Sequence, residues 1–287
     1  MSAVGTPIAH VPNHGRRVLL IWLVATAVAV PLIVLVLGPH LPPGRMSSEA
    51  SAQVDANMVM TALVTPIVLL IWVYFAYSLV VFRARGGQIE DGRPIFGHLP
   101  TQTVWVAMTS AIVIGLAAWG SYTLIVSADG AGGGQGPNPI ALPKNASQAL
   151  QVQVIGQQWN WTYRFPAYGN VETAHLELPS GSDIELHVTS LDVTHSFWAY
   201  ELGVKADAVP GVDNIAFVHP RRTGSFSIRC SELCGLWHGH MFQTGQVVTR
   251  AQFAAWIAQQ QAAGKLNLKY LPPYSRTYYP EPTRRAG

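Results

Sequence analysis

Three apolar runs, Val18 to Leu37, Met58 to Phe82 and Thr103 to Val126, limit what this chain can become. At 1.5 Å per helical residue each reaches across a hydrocarbon core of ~30 Å. Composition points the same way: 11% of residues are charged, 49% are hydrophobic and the mean hydropathy is +0.23. The first run has two readings. It is longer than the 7–15-residue core usual in a signal peptide, which favours a retained helix that tolerates Pro31. Residues 1–57 thus form an N-terminal segment with a candidate span at 18–37 and a connection containing Pro39, Pro42, Pro43 and Gly44. Residues 58–126 form a helical hairpin with spans at 58–82 and 103–126.

Arg16 and Arg17 precede the first run, and Arg83, Arg85 and Arg93 lie between the second and third. The positive-inside rule assigns both places to the cytoplasmic side. With three spans, everything beyond Val126 lies outside, as in a bacterial-type plasma membrane with a periplasmic C-terminal domain. The formal net charge is only +3, and no basic run stands outside the membrane flanks, which argues against nucleic acid as a partner.

Residues 127–147 are Gly/Pro-rich and read as a linker. Beyond them, 150–155 and 184–189 alternate apolar with polar residues, and 215–218, 225–229 and 245–249 continue the series of short strands. The expected architecture is membrane-anchored α + β: two to three transmembrane helices, then an all-β Greek-key barrel or sandwich over 148–262. A helix over 251–262 should close that domain, with Phe253 and Trp256 on one face. Residues 263–287 read as a surface tail.

Chemistry concentrates in Cys-Ser-Glu-Leu-Cys-Gly-Leu-Trp-His-Gly-His-Met, residues 230–241. Cys230 and Cys234 are the two cysteines of the chain; His238 follows four positions later and Met241 three after that. Thiolate, imidazole and thioether suit copper. Two thiolates this close can bridge two metal ions, which then need a second imidazole, and His195 in Thr194-His195-Ser196-Phe197 is the supplier of choice. A disulfide and a zinc or single-copper site are the alternatives, although structural zinc sites rarely employ methionine.

Cys-Ser-Glu-Leu-Cys-Gly-x-x-His-x-x-Met after an Asp-Val-x-His-Ser-Phe segment resembles subunit II of cytochrome c oxidase. The likeness extends through the turn from Gly203 to Gly211, the run Trp159-Asn160-Trp161-Thr162-Tyr163 and the helical hairpin, roughly residues 56–257. It implies a cupredoxin domain with a binuclear copper A centre. In that reading Cys230 and Cys234 bridge both coppers, His195 and His238 ligate one each, and Met241 and the Glu232 carbonyl are axial. The Glu232 side chain would meet a magnesium or manganese ion shared with subunit I, and Trp159 would receive electrons from a c-type cytochrome. The implied partners are the haem-containing catalytic subunit I, other oxidase subunits, a copper chaperone for loading and membrane lipid. Haem and oxygen chemistry would belong to subunit I, so no catalytic residue is expected here. The implied enzyme is a proton-translocating oxidoreductase complex. Lys205 and Asp207 would lie against the catalytic subunit. Trp161 reads as core, and His175, His187, His219 and His240 as bystanders.

Many family members carry His-Gln-Trp where this chain has Gln157-Gln158-Trp159, and three further positions depart from the family pattern. Arg164 stands where glutamate is common, Leu191 precedes Asp192 where another acid often stands, and Gln102 replaces a glutamate near the start of the last span. The first two weaken acidic steering of a basic donor; the third removes a carboxylate from a proton pathway. Two alternatives to the oxidase remain at this level: a copper A subunit of a nitric oxide reductase, and a membrane-anchored copper-binding or assembly protein.

Overall fold

The computed structural model describes residues 13–83, 96–126, 148–268 and 284–285. The expected linker at 127–147 and most of the expected tail lie outside the described residues.

Among the described residues, three helices are long and apolar enough to cross a membrane: His14–His40, Ser48–Val81 and Leu99–Thr123. Helix α1 (His14–Leu32) is capped by Asn13, whose side chain accepts the Arg16 N–H at 3.0 Å. Pro31 lacks a donor, and the chain continues through a wider π turn at Ile33–Leu37. Helix α2 (Ser48–Val81) begins ten residues before the expected apolar start at 58. The Ser47 hydroxyl caps it by accepting the Ala50 N–H at 2.9 Å, Glu49 favours the positive end of the helix, and alanines carry the first turns. A helix whose opening turns are polar is invisible to hydropathy, so the apolar run marks only part of α2. Helix α3 spans Leu99–Val126.

Two compact units separate: residues Met1–Leu41 with Asp55–Phe96, and Pro42–Val54 with Gly97–Gly287. In the first, α1 and α2 run antiparallel and touch at three levels. His14 Nδ1 meets the Tyr77 hydroxyl at 2.8 Å, Trp22 Nε1 donates to the Pro66 carbonyl at 2.7 Å, and Gly38 lies against Met58.

In the second, the strands are β1 (Leu150–Gln157), β2 (Asn160–Phe165), β3 (Val171–Thr173), β4 (Glu177–Pro179), β5 (Ile184–Ser190), β6 (His195–Ala199), β7 (Val204–Ala208), β8 (Val212–Val218), β9 (Gly224–Cys230), β10 (Phe242–Val248) and β11 (Arg284–Arg285). One sheet is ordered β11-β8-β5-β1-β2-β3 and the other β4-β10-β9-β6-β7, a cupredoxin sandwich. Alternation decides the faces: Val152 and Val154, Ile184, Leu186 and Val188, and Phe226 and Ile228 all turn into the core. Helix α4 (Arg250–Leu268) outruns the expected 251–262. Its start is a capping box, in which Gln252 accepts the Thr249 N–H at 3.0 Å and donates its own N–H back to the Thr249 hydroxyl at 3.3 Å. Phe253 and Ile257 bury its inner face, while Trp256 packs half-buried against Phe165.

Candidate metal centre

Strand pairing brings the distant ligand to the local ones. Strand β6 opens with His195 and β9 closes with Cys230, and the two pair antiparallel with Phe197 opposite Cys230. After Cys230 the chain loops out, makes one short turn at His238–His240, and returns as Met241 before β10. The Cys230 N–H donates to the Met241 carbonyl at 3.0 Å, which closes the loop, and the Ser231 N–H donates to the Ser196 carbonyl at 2.9 Å.

All six expected residues converge. The two Sγ atoms lie 3.8 Å apart. His195 Nδ1 is 3.8 Å from Cys230 Sγ, and His238 Nδ1 is 3.5 Å from Cys234 Sγ. Met241 Sδ is 3.8 Å from Cys234 Sγ, and the Glu232 carbonyl is 3.2 Å from Cys230 Sγ. His195, Cys230, Cys234 and Met241 are buried, His238 is half-buried, and the Glu232 side chain is exposed. Burial, with the neighbouring Cys230 sulfur second, pushes the Cys234 thiol up to about 12. A thiol held protonated in a dry pocket beside imidazoles and a thioether is a poor nucleophile and a good soft ligand once its proton is displaced.

His195 is oriented from behind. Its Nε2–H donates to Asp192 Oδ1 at 2.9 Å, so Nδ1 keeps its lone pair toward the sulfurs. Partial burial raises the Asp192 carboxyl, but donations from the Gln158 N–H, from His195 and from the Val193 N–H outweigh it and hold the group below its usual range. The sequence signal for this role is a carboxylate three residues before the candidate ligand His195. Asp192→Asn should therefore weaken copper binding about tenfold without unfolding the domain, as a competitive chelator titration would reveal. Asp207, expected at a subunit contact, also accepts the Ser196 hydroxyl at 2.7 Å and so steadies the residue beside His195.

The two tryptophans do not share a strand face. Trp159 sits in the Gln158–Trp159 turn, and β2 starts one residue later. Its half-buried indole lies on the ligand loop, where a β-carbon at Gly235 would come within 3.4 Å of it, and Gln158 Nε2 donates to the Cys234 carbonyl at 2.8 Å. Trp161 is fully buried, edge-on to His195 at 5.8 Å and to Phe197 at 5.4 Å. The bystander histidines stay apart from the sulfurs. His187 sits between Asp213 and Glu185, His219 pairs with Asp183, His240 meets Trp237 edge-on, and His175 is exposed. Arg164 pairs across the sheet with Glu172 at 2.8 Å.

A family profile described as cytochrome c oxidase subunit II, periplasmic domain, matches residues 173–248. Cytochrome c oxidase subunit 2 of Thermostichus vulcanus is 28% identical over 284 residues, covering 84% of this chain and 86% of the relative. The Synechocystis subunit 2 is 27% identical over 257 residues and covers 77% of each. Among solved structures, the periplasmic domain of subunit II of cytochrome oxidase (CoxB) of Bradyrhizobium japonicum is 32% identical, with 40% of this chain and 94% of that chain covered at a TM-score of 0.39. Shared sequence across most of both lengths, with a soft-donor cluster inside the region the profile matches, makes this chain similar to cytochrome c oxidase subunit II.

Proposed function

We propose that this chain is the electron-input subunit of a haem–copper cytochrome c oxidase, holding a binuclear copper A centre on Cys230, Cys234, His195, His238, Met241 and the Glu232 carbonyl. The observation that carries the reading is the pair of buried sulfurs 3.8 Å apart, each faced by its own imidazole Nδ1. The donor set fits: two thiolates, two imidazoles, one thioether and one carbonyl match copper far better than a hard cation. Two coppers bound there would share a single electron.

The chain's own residues do the rest. Antiparallel β6 and β9 fix His195 and Cys230 to one frame, the loop closed at Cys230–Met241 fixes the others, and burial excludes water. A frame that moves little between redox states suits electron transfer rather than substrate chemistry. Trp159, seated on the ligand loop, is the surface where a c-type cytochrome would deliver electrons. The exposed Glu232 carboxylate is free to help hold a magnesium or manganese ion together with ligands from a haem-bearing partner. The outer domain would stand on the periplasmic side of a plasma membrane, with a copper chaperone loading the reduced thiols.

The test is copper analysis and electron paramagnetic resonance on the full chain in detergent. Two copper ions per chain and a signal from one electron shared equally by both nuclei are expected. One copper with a four-line signal, bound zinc, or a cysteine pair that refuses metal when reduced would instead favour an assembly protein. Oxygen rather than nitric oxide consumption by the assembled complex separates the oxidase from a reductase.

A further inference from the structure

We propose that Met46–Val54, the outward root of α2, positions the metal centre for onward electron transfer by clamping the far ends of the two strands that carry His195 and Cys230; this rests on the electron-transfer reading above. The segment is built into the sandwich. Ser47, Ala50 and Val54 are fully buried and Glu49 nearly so. One grip is on the turn between β6 and β7. The Ser47 hydroxyl donates to the Leu202 carbonyl at 2.6 Å, and Gln53 Nε2 donates to the Gly203 carbonyl at 2.5 Å. Gly203 has φ +66°, and a β-carbon there would stand 2.8 Å from the Ala50 backbone, so glycine alone permits this approach.

The other grip is on the connection between β8 and β9. The Ser48 N–H donates to the His219 carbonyl at 3.1 Å, and the Glu49 carboxylate accepts the His219 N–H at 3.0 Å. The N–H groups of Arg221 and Arg222 both donate to the Met46 carbonyl, at 2.8 and 3.1 Å. A buried carboxylate is costly unless it is bonded, and directional bonds at both grips leave little room for sliding. The gripped turns lie at the ends of β6 and β9 opposite the ligands, one strand length away. Because α2 is unbroken from Ser48 to Val81, the clamp belongs to the same helix that is long enough to span the membrane. The bonds at both grips fall on the strand ends away from the ligands, so their loss should spare the centre and act on how the strands that carry it are held.

The experiment compares Gly203→Val, Glu49→Ala and Glu49→Gln in the full chain assembled with its haem-bearing partner. Copper content, the shared-electron signal and reduction by the donor should remain as in the parent. Amide exchange at Ala50 and His219 should rise roughly tenfold or more, and electron passage from the centre to the partner's haem should slow on the order of tenfold, since small misplacements are costly. Glu49→Gln, which keeps an acceptor oxygen, should recover most of the rate. Gln53→Ala, which removes one bond to Gly203, serves if Gly203→Val fails to accumulate. Faster exchange with an unchanged onward rate would overturn the proposal, and so would unchanged exchange in every variant. Absence of the shared-electron signal in the parent would instead remove the electron-transfer reading itself.

Discussion

Cys234→Ser should abolish the binuclear signal and lower donor oxidation by the assembled complex on the order of a thousandfold. Cys234 Sγ is the hub of the site, within 3.8 Å of Cys230 Sγ, 3.5 Å of His238 Nδ1 and 3.8 Å of Met241 Sδ. A hydroxyl is a hard, weakly acidic donor that cannot replace a bridging thiolate. Losing it leaves too few soft ligands for two ions, and a residual single copper with a localised electron is the expected product. His240→Ala is the control, because that exposed imidazole meets Trp237 edge-on outside the sulfur pair; it should leave copper content and activity within twofold. The same thiol sets a pH dependence for loading. Its proton is held up to about 12, so at neutral pH the metal must displace it, and binding should release protons and weaken as pH falls. Equal copper retention by Cys234→Ser and His240→Ala would refute the ligand assignment.

The candidate cluster was legible because five of its six residues fall within twelve positions, and residue type alone suggests soft-metal chemistry. The strands with clean alternation were legible for a similar reason: Val152 and Val154, or Ile184, Leu186 and Val188, announce a buried face locally. Contacts made at long range left no such trace. The partner of Ser47 lies 155 residues away and that of Glu49 170 away, and a polar helix start resembles a loop until the cap is seen. Period-two spacing assumes an unbroken strand, and nothing in the residues of 158–161 shows that a turn occupies Gln158–Trp159 and that β2 starts at Asn160. Asp192 and Asp207 are short acids next to ligand strands, and nothing in composition distinguishes an orienting carboxylate from a solvated one.

The two tryptophans, two residues apart, should separate stability from electron input. Trp161 is fully buried between Phe197 and His195, so Trp161→Ala removes a large core ring and leaves a cavity beside a ligand. The expected cost is about 3–5 kcal/mol, seen as a fall in the melting temperature of the copper-bearing domain on the order of 10–20 °C. The copper spectrum should also shift, because the ring that backs His195 is gone. Trp159 is half-buried at a turn at the edge of the core. Trp159→Ala should change stability by about 1 kcal/mol or less and leave the copper spectrum intact, yet slow reduction of the centre by a c-type cytochrome at least tenfold. A small artificial reductant that needs no docking surface should reduce both variants at parent rates wherever copper is retained. If Trp159→Ala melts early and loses copper while Trp161→Ala does neither, the assignment of the two roles is reversed. If Trp159→Ala accepts electrons from the cytochrome as fast as the parent, the donor docks elsewhere on the loop, where Leu233 and Leu236 present the largest exposed apolar surface.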